Sequence, residues 1–338
     1  MAPLRARMSL PKDKFPTYFN TVKIQSYQET TVVRGAAPRS LNSIAWNPTG
    51  TLIATGSSDK TLRVWNPEKP NVRFSTELKG HSGPIEKVAF NPTKDAELCS
   101  LSSDGVARFW DARSKTCTNE IRDLGEANTL AWAPNGETLV VGNKAGTIFV
   151  LSPSQPSPLS SHQQPGRINQ IVFCWGGEKV FLATGDGRVR ILSYPSLEPL
   201  LQHHDEEGGE PAEFSLKGHT SSCISIDVQP TSRYLASGGD DNVIALWDTT
   251  DWICQRTMTK VNGPVRSISF TWDGSYLVAG SDEGASLEFF HTESGERIHT
   301  IKTASANPLV AWAPTRYCLA YSDAGVLRIA GLDTTDRR

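Results

Sequence analysis

The sequence predicts an all-β chain folded as a seven-bladed propeller, and three observations carry that expectation. A short turn recurs at a fixed interval, each recurrence is followed by the same order of strands and turns, and the two chain ends complement one another. The turn follows a strand that ends in a hydrophobic residue, and it places a Pro or its stand-in ahead of a polar or Gly pair. It falls at Pro48, Pro92, Pro134, Gly176, Pro230, Trp272 and Pro314, at intervals of 44, 42, 42, 54, 42 and 42 residues. A period of about forty residues marks a radial array in which each unit is a small sheet that cannot bury its faces alone.

Within the first unit an apolar strand (Leu52, Ile53, Ala54, Thr55) leads to a tight polar turn (Ser57, Ser58, Asp59, Lys60), then to an alternating strand ending in a large residue (Leu62, Val64, Trp65). The same frame pairs Asp104 with Trp110, Asp186 with Leu192, Asp241 with Trp247, Glu283 with Phe289 and Asp323 with Ile329; only the third unit, with Ala145 and Leu151, lacks the acid. Asp and Asn favour such turns because their side-chain oxygens accept nearby backbone N–H bonds, so the acid needs no catalytic explanation.

The ends predict how the ring closes. The seventh unit supplies three strands, around Leu309 to Trp312, Tyr317 to Tyr321 and Val326 to Ile329. The missing fourth is assigned to Thr30 to Arg34, because closure by an N-terminal strand removes an exposed sheet edge. Residues 1–20 are then expected to form a flexible basic tail carrying Arg5, Arg7, Lys12 and Lys14, residues 21–333 a single propeller, and residues 334–338 a C-terminal tail. The long interval holds an acidic insertion, 203–215, between the fourth and fifth units, with His203, His204, Asp205, Glu206, Glu207 and Glu210. It reads as a solvated loop, since adjacent His residues on a Gly-containing segment seldom preorganise a metal site.

Composition narrows the function classes. The 338 residues suit one closed all-β domain, and 34 basic against 36 acidic residues leave a net charge of −2, with no polycation for non-specific nucleic-acid binding. No apolar run is long enough to span a membrane, and the N-terminus lacks the apolar core of a secretory signal. The six cysteines, at 99, 117, 174, 223, 254 and 318, are scattered with no Cys-x-x-Cys pair, which favours reduced thiols in an intracellular protein over a zinc site. The chain has no Gly-x-Ser-x-Gly elbow, His-Glu-x-x-His pair or P-loop, and His162, His291 and His299 stand alone, so no catalytic, metal or cofactor-binding residue is assigned.

Gly80-His81 and Gly218-His219, paired with Phe109-Trp110-Asp111 and Leu246-Trp247-Asp248, resemble the WD40 signature. That resemblance implies a buried polar chain linking His to Asp, Ser and Trp, which maps onto His81, Asp104, Ser100 and Trp110 in the second blade and onto His219, Asp241, Ser237 and Trp247 in the fifth. Only those two units carry the full set, and Ala37 stands where the first unit would hold the His.

Further stretches resemble one family in particular, the third subunits of the THO complex. They are Ala131 to Thr138 with Val141 to Lys144, Ile191 to Pro195 with Leu197 and Pro199, Cys223-Ile224, Pro264 to Phe270 with Asp273-Gly274, and Trp110 to Arg113 with Lys115 to Cys117. The likeness runs in order from about Arg34 to Leu332. It implies a nuclear, non-catalytic propeller docked on the large helical scaffold subunit of the THO/TREX assembly, in contact with its other subunits, and acting in messenger RNA processing and export with RNA bound only indirectly. Two alternatives stand beside it. Trp110-Asp111-Ala112-Arg113 resembles the box by which some WD40 proteins dock on the adaptor of a cullin-RING ubiquitin ligase, with Arg113 as the contact to a partner acid. Arg188 and Arg190 flank Val189 on one strand and so share a face, with Tyr194 nearby in sequence, a combination able to hold phosphates and stack bases.

Overall fold

The computed structural model describes residues 9–27, 40–68, 75–200, 202–203, 212–306 and 309–332. Among them are seven four-stranded antiparallel sheets and one two-stranded hairpin. From inner to outer strand, blade 1 holds Leu41–Trp46, Ile53–Ser57, Leu62–Trp65 and Thr76–Leu78, and blade 2 holds Ile85–Phe90, Glu97–Ser102, Val106–Asp111 and Thr116–Ile121. Blade 3 holds Ala127–Trp132, Leu139–Asn143, Thr147–Leu151 and Ser160–Gln163; blade 4 holds Ile168–Phe173, Lys179–Thr184, Arg188–Ser193 and Ser215–Lys217. Blade 5 holds Cys223–Val228, Tyr234–Gly239, Ile244–Asp248 and Cys254–Met258; blade 6 holds Val265–Phe270, Tyr276–Ser281, Ser286–His291 and Arg297–Lys302. Blade 7 joins Val310–Trp312, Leu319–Asp323 and Val326–Ala330 to Ile24–Tyr27 from the far end of the chain. The seven-bladed propeller predicted from the period is the observed architecture.

Burial follows position in the blade. The second strand of each sheet lies between neighbouring blades and is covered on both faces, so Leu139–Asn143 and Tyr234–Gly239 are buried throughout. Outer strands face solvent, as Cys254–Met258 does for four of its five residues. The recurring turn does more than reverse the chain. Asn91 and Gln229, each just ahead of a turn Pro, send a side-chain amide to the next blade's turn, Asn91 Nδ2 to Gly136 O and Gln229 Nε2 to Gly274 O, both at 2.8 Å. Both glycines have φ of +71°, which L side chains rarely adopt, and a Cβ on Gly136 would run into Asn91. Further round the ring, small hydroxyls on the inner strands accept from the next blade's backbone, Val88 N to Ser43 Oγ and Ile171 N to Thr129 Oγ1, each at 3.1 Å. The indole of Trp46 reaches Ala311 O at 2.9 Å and so ties blade 1 to blade 7. The blades are therefore joined by buried polar bonds as well as apolar packing, and each unmet one leaves a desolvated donor.

Two expectations about the N-terminal region need correction. The closing strand is Ile24–Tyr27, paired Ile24 to Ala330 through Tyr27 to Leu327; Thr30 to Arg34 lie outside the described residues. Tyr27 explains the register: its ring meets Trp65 edge-on at 6.1 Å and its hydroxyl donates to Pro67 O at 3.3 Å, which anchors the strand across the blade 7 to blade 1 seam. Residues 9–20 are not a free tail. A helix, Phe15–Thr21, begins with Pro16 in its first turn and buries Phe15 and Phe19, four apart and so on one face, against Tyr276, Phe289 and Trp312 of blades 6 and 7. Phe15 is fully buried, its ring 4.1 Å from Tyr276. Residues 1–8 and the expected 334–338 tail lie outside the described residues.

The insertion departs less from the array than its length suggests. Gln202–His203 pairs with Ala212–Glu213 as a short hairpin, and Ser215, placed in the insertion by the sequence, begins the outer strand of blade 4. Residues 204–211, with most of the acids, lie outside the described residues.

Candidate functional site

In blade 5 the four signature residues meet. His219 Nδ1 lies 3.1 and 3.2 Å from the two Asp241 carboxylate oxygens, and His219 Nε2 lies 2.8 Å from Ser237 Oγ, which also accepts from Trp247 Nε1 at 2.9 Å. Burial alone would raise the Asp241 carboxyl, but the Thr220 amide and His219 hold it below its ordinary value. The chain runs from the surface turn to the strand next to the neighbouring blade. Its groups satisfy one another, and Ser237, the hydroxyl that His219 contacts, is fully buried and bonded to the Trp247 indole.

Blade 2 holds the same four residues in a different arrangement. His81 Nε2 is 2.6 Å from Ser100 Oγ, which accepts from Trp110 Nε1 at 2.8 Å, so half of the chain forms. His81 Nδ1 is buried without a partner, while the exposed Asp104 accepts from the Ser82 hydroxyl instead. The expected His81–Asp104 link is absent. We attribute this to Arg108, which stands opposite Ser100 in the ladder and pairs with Glu120 at 2.6 Å. Burial and then the Arg108 guanidinium push the His81 imidazole down to about 4, so a neutral ring occupies this site.

The three residues grouped as an RNA-binding candidate are not brought together. Arg190 is buried: its guanidinium forms a two-pronged pair with Glu213 and donates through Nη1 to Gln164 Oε1 at 2.8 Å. Arg188 is exposed and pairs with Asp186 at 3.3 Å. Tyr194 is turned into a contact with Phe173, ring centroids 5.0 Å apart, its hydroxyl 2.6 Å from Thr138 Oγ1. On this strand Glu213, arriving from the insertion, engages Arg190, while Arg188 stays exposed. Arg113 lies on the exposed turn after Val106–Asp111, with its amide held by Asp111 Oδ1 at 2.9 Å, and its side chain lines an open cleft with Thr93, Lys94 and Asp95.

One feature escaped sequence reasoning. Among the inner strands of blades 2 to 5, an apolar cleft of about 300 Å3 is lined by Leu130, Trp132, Ile171, Phe173 and Trp175, with Lys87 of blade 2 and Asp227 of blade 5 among its walls. Burial lifts the Asp227 carboxyl to about 7 even though the Phe270 and Val228 amides donate to it, and burial lowers the Lys87 ammonium. A charged residue in an inner strand that otherwise alternates hydroxyl and apolar residues was the available signal. Among the described residues no three His, Cys, Asp or Glu side chains converge as metal ligands.

Comparison with known proteins fits this architecture. The WD domain, G-beta repeat family matches residues 28–66, 73–111, 212–248 and 252–285, stretches belonging to blades 1, 2, 5 and 6. THO complex subunit 3 of Arabidopsis thaliana is 34% identical over 309 residues, spanning 88% of this chain and 94% of that protein. WD repeat-containing protein AAC3 of Dictyostelium discoideum is 30% identical over 301 residues, 83% of this chain and 61% of that protein. The human serine-threonine kinase receptor-associated protein is 27% identical over 197 residues, 58% of this chain and 51% of that protein. The repeat family matches parts of the chain, whereas the likeness to THO complex subunit 3 spans 88% of this chain and 94% of that protein, a share that takes in blade 3, which the repeat family does not match. The chain belongs to the THO complex subunit 3 family of WD40-repeat propellers.

Proposed function

We propose that this propeller is a non-catalytic scaffold subunit of a nuclear THO/TREX assembly, which couples transcription to messenger RNA processing and export through protein contacts. The end-to-end similarity to THO complex subunit 3 carries the reading. The state of the candidate residues agrees with it: the His–Asp–Ser–Trp set of blade 5 is satisfied internally, and Arg190 is committed to Glu213 and Gln164. Contact with RNA is then made through partners. The first partner is the large helical scaffold subunit, with other THO/TREX subunits beyond it.

Affinity purification from nuclear extract, with and without nuclease, tests this. The large helical subunit remains bound after nuclease treatment, the isolated protein binds RNA only weakly, and depletion leaves messenger RNA in the nucleus. Loss of the complex on nuclease treatment, together with tight RNA binding by the isolated disc, overturns the proposal. A second reading rests on the exposed position of Arg113 beside an open cleft. Under that reading the protein co-purifies with the propeller adaptor of a cullin-RING ligase, and Arg113→Ala abolishes the association.

A further inference from the structure

The N-terminal segment is held down at its start by a small polar cluster. Ser9 Oγ donates to Asp273 Oδ2 at 2.6 Å and lies 2.9 Å from Ser275 Oγ and 3.5 Å from Tyr317 OH. Tyr317 OH also donates to Asp273 Oδ2 at 2.5 Å and accepts from Leu10 N at 3.0 Å, while Tyr276 OH donates to Leu10 O. Thr271 Oγ1 donates to Asp273 Oδ1 at 2.6 Å, so hydroxyls surround this carboxylate and keep it ionised. Among the described residues, one carboxylate and two hydroxyls, and no cation, lie within hydrogen-bond distance of Ser9 Oγ. Lys12, three residues on, is engaged by Glu296 and by Ser294 Oγ at 3.3 Å.

Ser9 is exposed, and Arg5 and Arg7 precede it at the −4 and −2 positions. Basic residues ahead of a serine complement kinase substrate grooves lined by acidic side chains. We propose that Ser9 is a phosphorylation site whose modification releases residues 9–22 from blades 6 and 7. The γ-phosphoryl group of ATP passes to Ser9 Oγ: the new O–P bond forms as the bond to the ADP oxygen breaks, and the hydroxyl proton leaves to solvent. The product carries a charge of about −1.5 to −2 at pH 7 where the hydroxyl had donated to a carboxylate. The Ser9 donor to Asp273 is lost, and like charges stand within a few ångströms with no cation of the described residues between them. Release takes Phe15 and Phe19 out of the pocket formed by Tyr276, Phe289 and Trp312 and loosens the lead into the closing strand Ile24–Tyr27, so an aromatic surface opens at the blade 6 to blade 7 seam. This inference is independent of the THO assignment.

Phosphoserine installed at position 9 during translation, in the full-length protein, gives a defined test, with tryptic cleavage after Lys12 and Lys14 as the readout. Cleavage of a docked segment tracks its opening equilibrium, so phosphorylated protein is cut at least about tenfold faster than unmodified protein, and Ser9→Ala stays within about threefold. In an Asp273→Asn background the repulsion is gone, and phosphorylation changes the rate by less than about threefold. Incubation of wild-type protein with ATP and an arginine-directed kinase places phosphate on Ser9 by mass spectrometry. Equal cleavage of the phosphorylated and unmodified proteins, an undiminished phosphate effect in Asp273→Asn, or no phosphate at Ser9 after kinase treatment each overturns the proposal.

Discussion

Blades 2 and 5 carry the same four signature residues, with Ser, Asp and Trp equally spaced and the His 19 residues ahead of the Ser in blade 2 against 18 in blade 5, yet only blade 5 links all of them. In blade 5 His219 bridges Asp241 and Ser237, whereas in blade 2 His81 reaches Ser100 and leaves Nδ1 unpaired. The residue that decides lies across the ladder. Ser237 faces Ala245, a fully buried small side chain, and Ser100 faces Arg108. The Arg108 guanidinium lies against Gly80, next to His81, and a Cβ there would make it shift. A signature motif thus specifies which groups are present; their cross-strand neighbours decide whether those groups meet.

Three sets of substitutions test that comparison, beginning with the largest effect. The serine is the one element that both blades use alike, accepting from the Trp indole and contacting His Nε2. Ser100→Ala and Ser237→Ala each strand two buried groups and cost on the order of 2 to 4 kcal/mol, with similar values in the two blades. Chemical denaturation of both variants checks the equality, and a difference above about 1.5 kcal/mol would show that the shared half of the chain is not equivalent. The aspartates separate the blades. Asp241→Ala removes the partner of His219 Nδ1 and of the Thr220 amide and costs about 1 to 3 kcal/mol. Asp104→Ala removes an exposed carboxylate that accepts from the Ser82 and Ser102 hydroxyls and the Val106 amide but does not reach His81, and costs about 1 kcal/mol or less. Equal melting shifts for the two would contradict the distinction.

How much was legible in the sequence divides along the same line. The seven blades were readable because each unit repeats a local order of turn and strand, and the array leaves only one way to stack them. The closing strand was placed a few residues late because the β-branched run Thr30 to Val33 looks more strand-like than Ile24–Tyr27; what fixes the observed choice is Tyr27 meeting Trp65, a contact between distant parts of the chain. Phe15 and Phe19 carried the signal of a one-sided helix, but seven residues among basic neighbours give little periodicity to read. In blade 2 the same four residues are readable and their connection is not, because only the ladder register sets Arg108 opposite Ser100. Arg190 was lost to Glu213, which is 23 residues away and comes in on the insertion. Local periodicity reaches the blades; polar partners that cross between strands need the register.

The smallest effect is the most direct probe of Arg108. Burial, then Arg108, depresses His81 to about 4 in the folded state, against an ordinary value of 6.5, while Asp104 and Glu120 oppose the shift. Between those two values the unfolded chain binds a proton that the folded chain does not, so stability rises with pH and this contribution is lost as pH falls from about 6.5 towards 4. Arg108→Ala removes the repulsion from the protonated ring. The His81 imidazole, followed by NMR, then titrates above its wild-type value, and the acid-side loss of stability becomes shallower, even though the variant starts from lower stability at pH 8 for want of the Glu120 pair. Glu120→Gln removes an attraction and moves the His81 titration the opposite way. Opposite shifts from the two partners of a single ion pair distinguish electrostatic control of His81 from a general loosening of the blade, which would move both variants in the same direction. An unchanged His81 titration in Arg108→Ala would leave the broken chain of blade 2 without its cause.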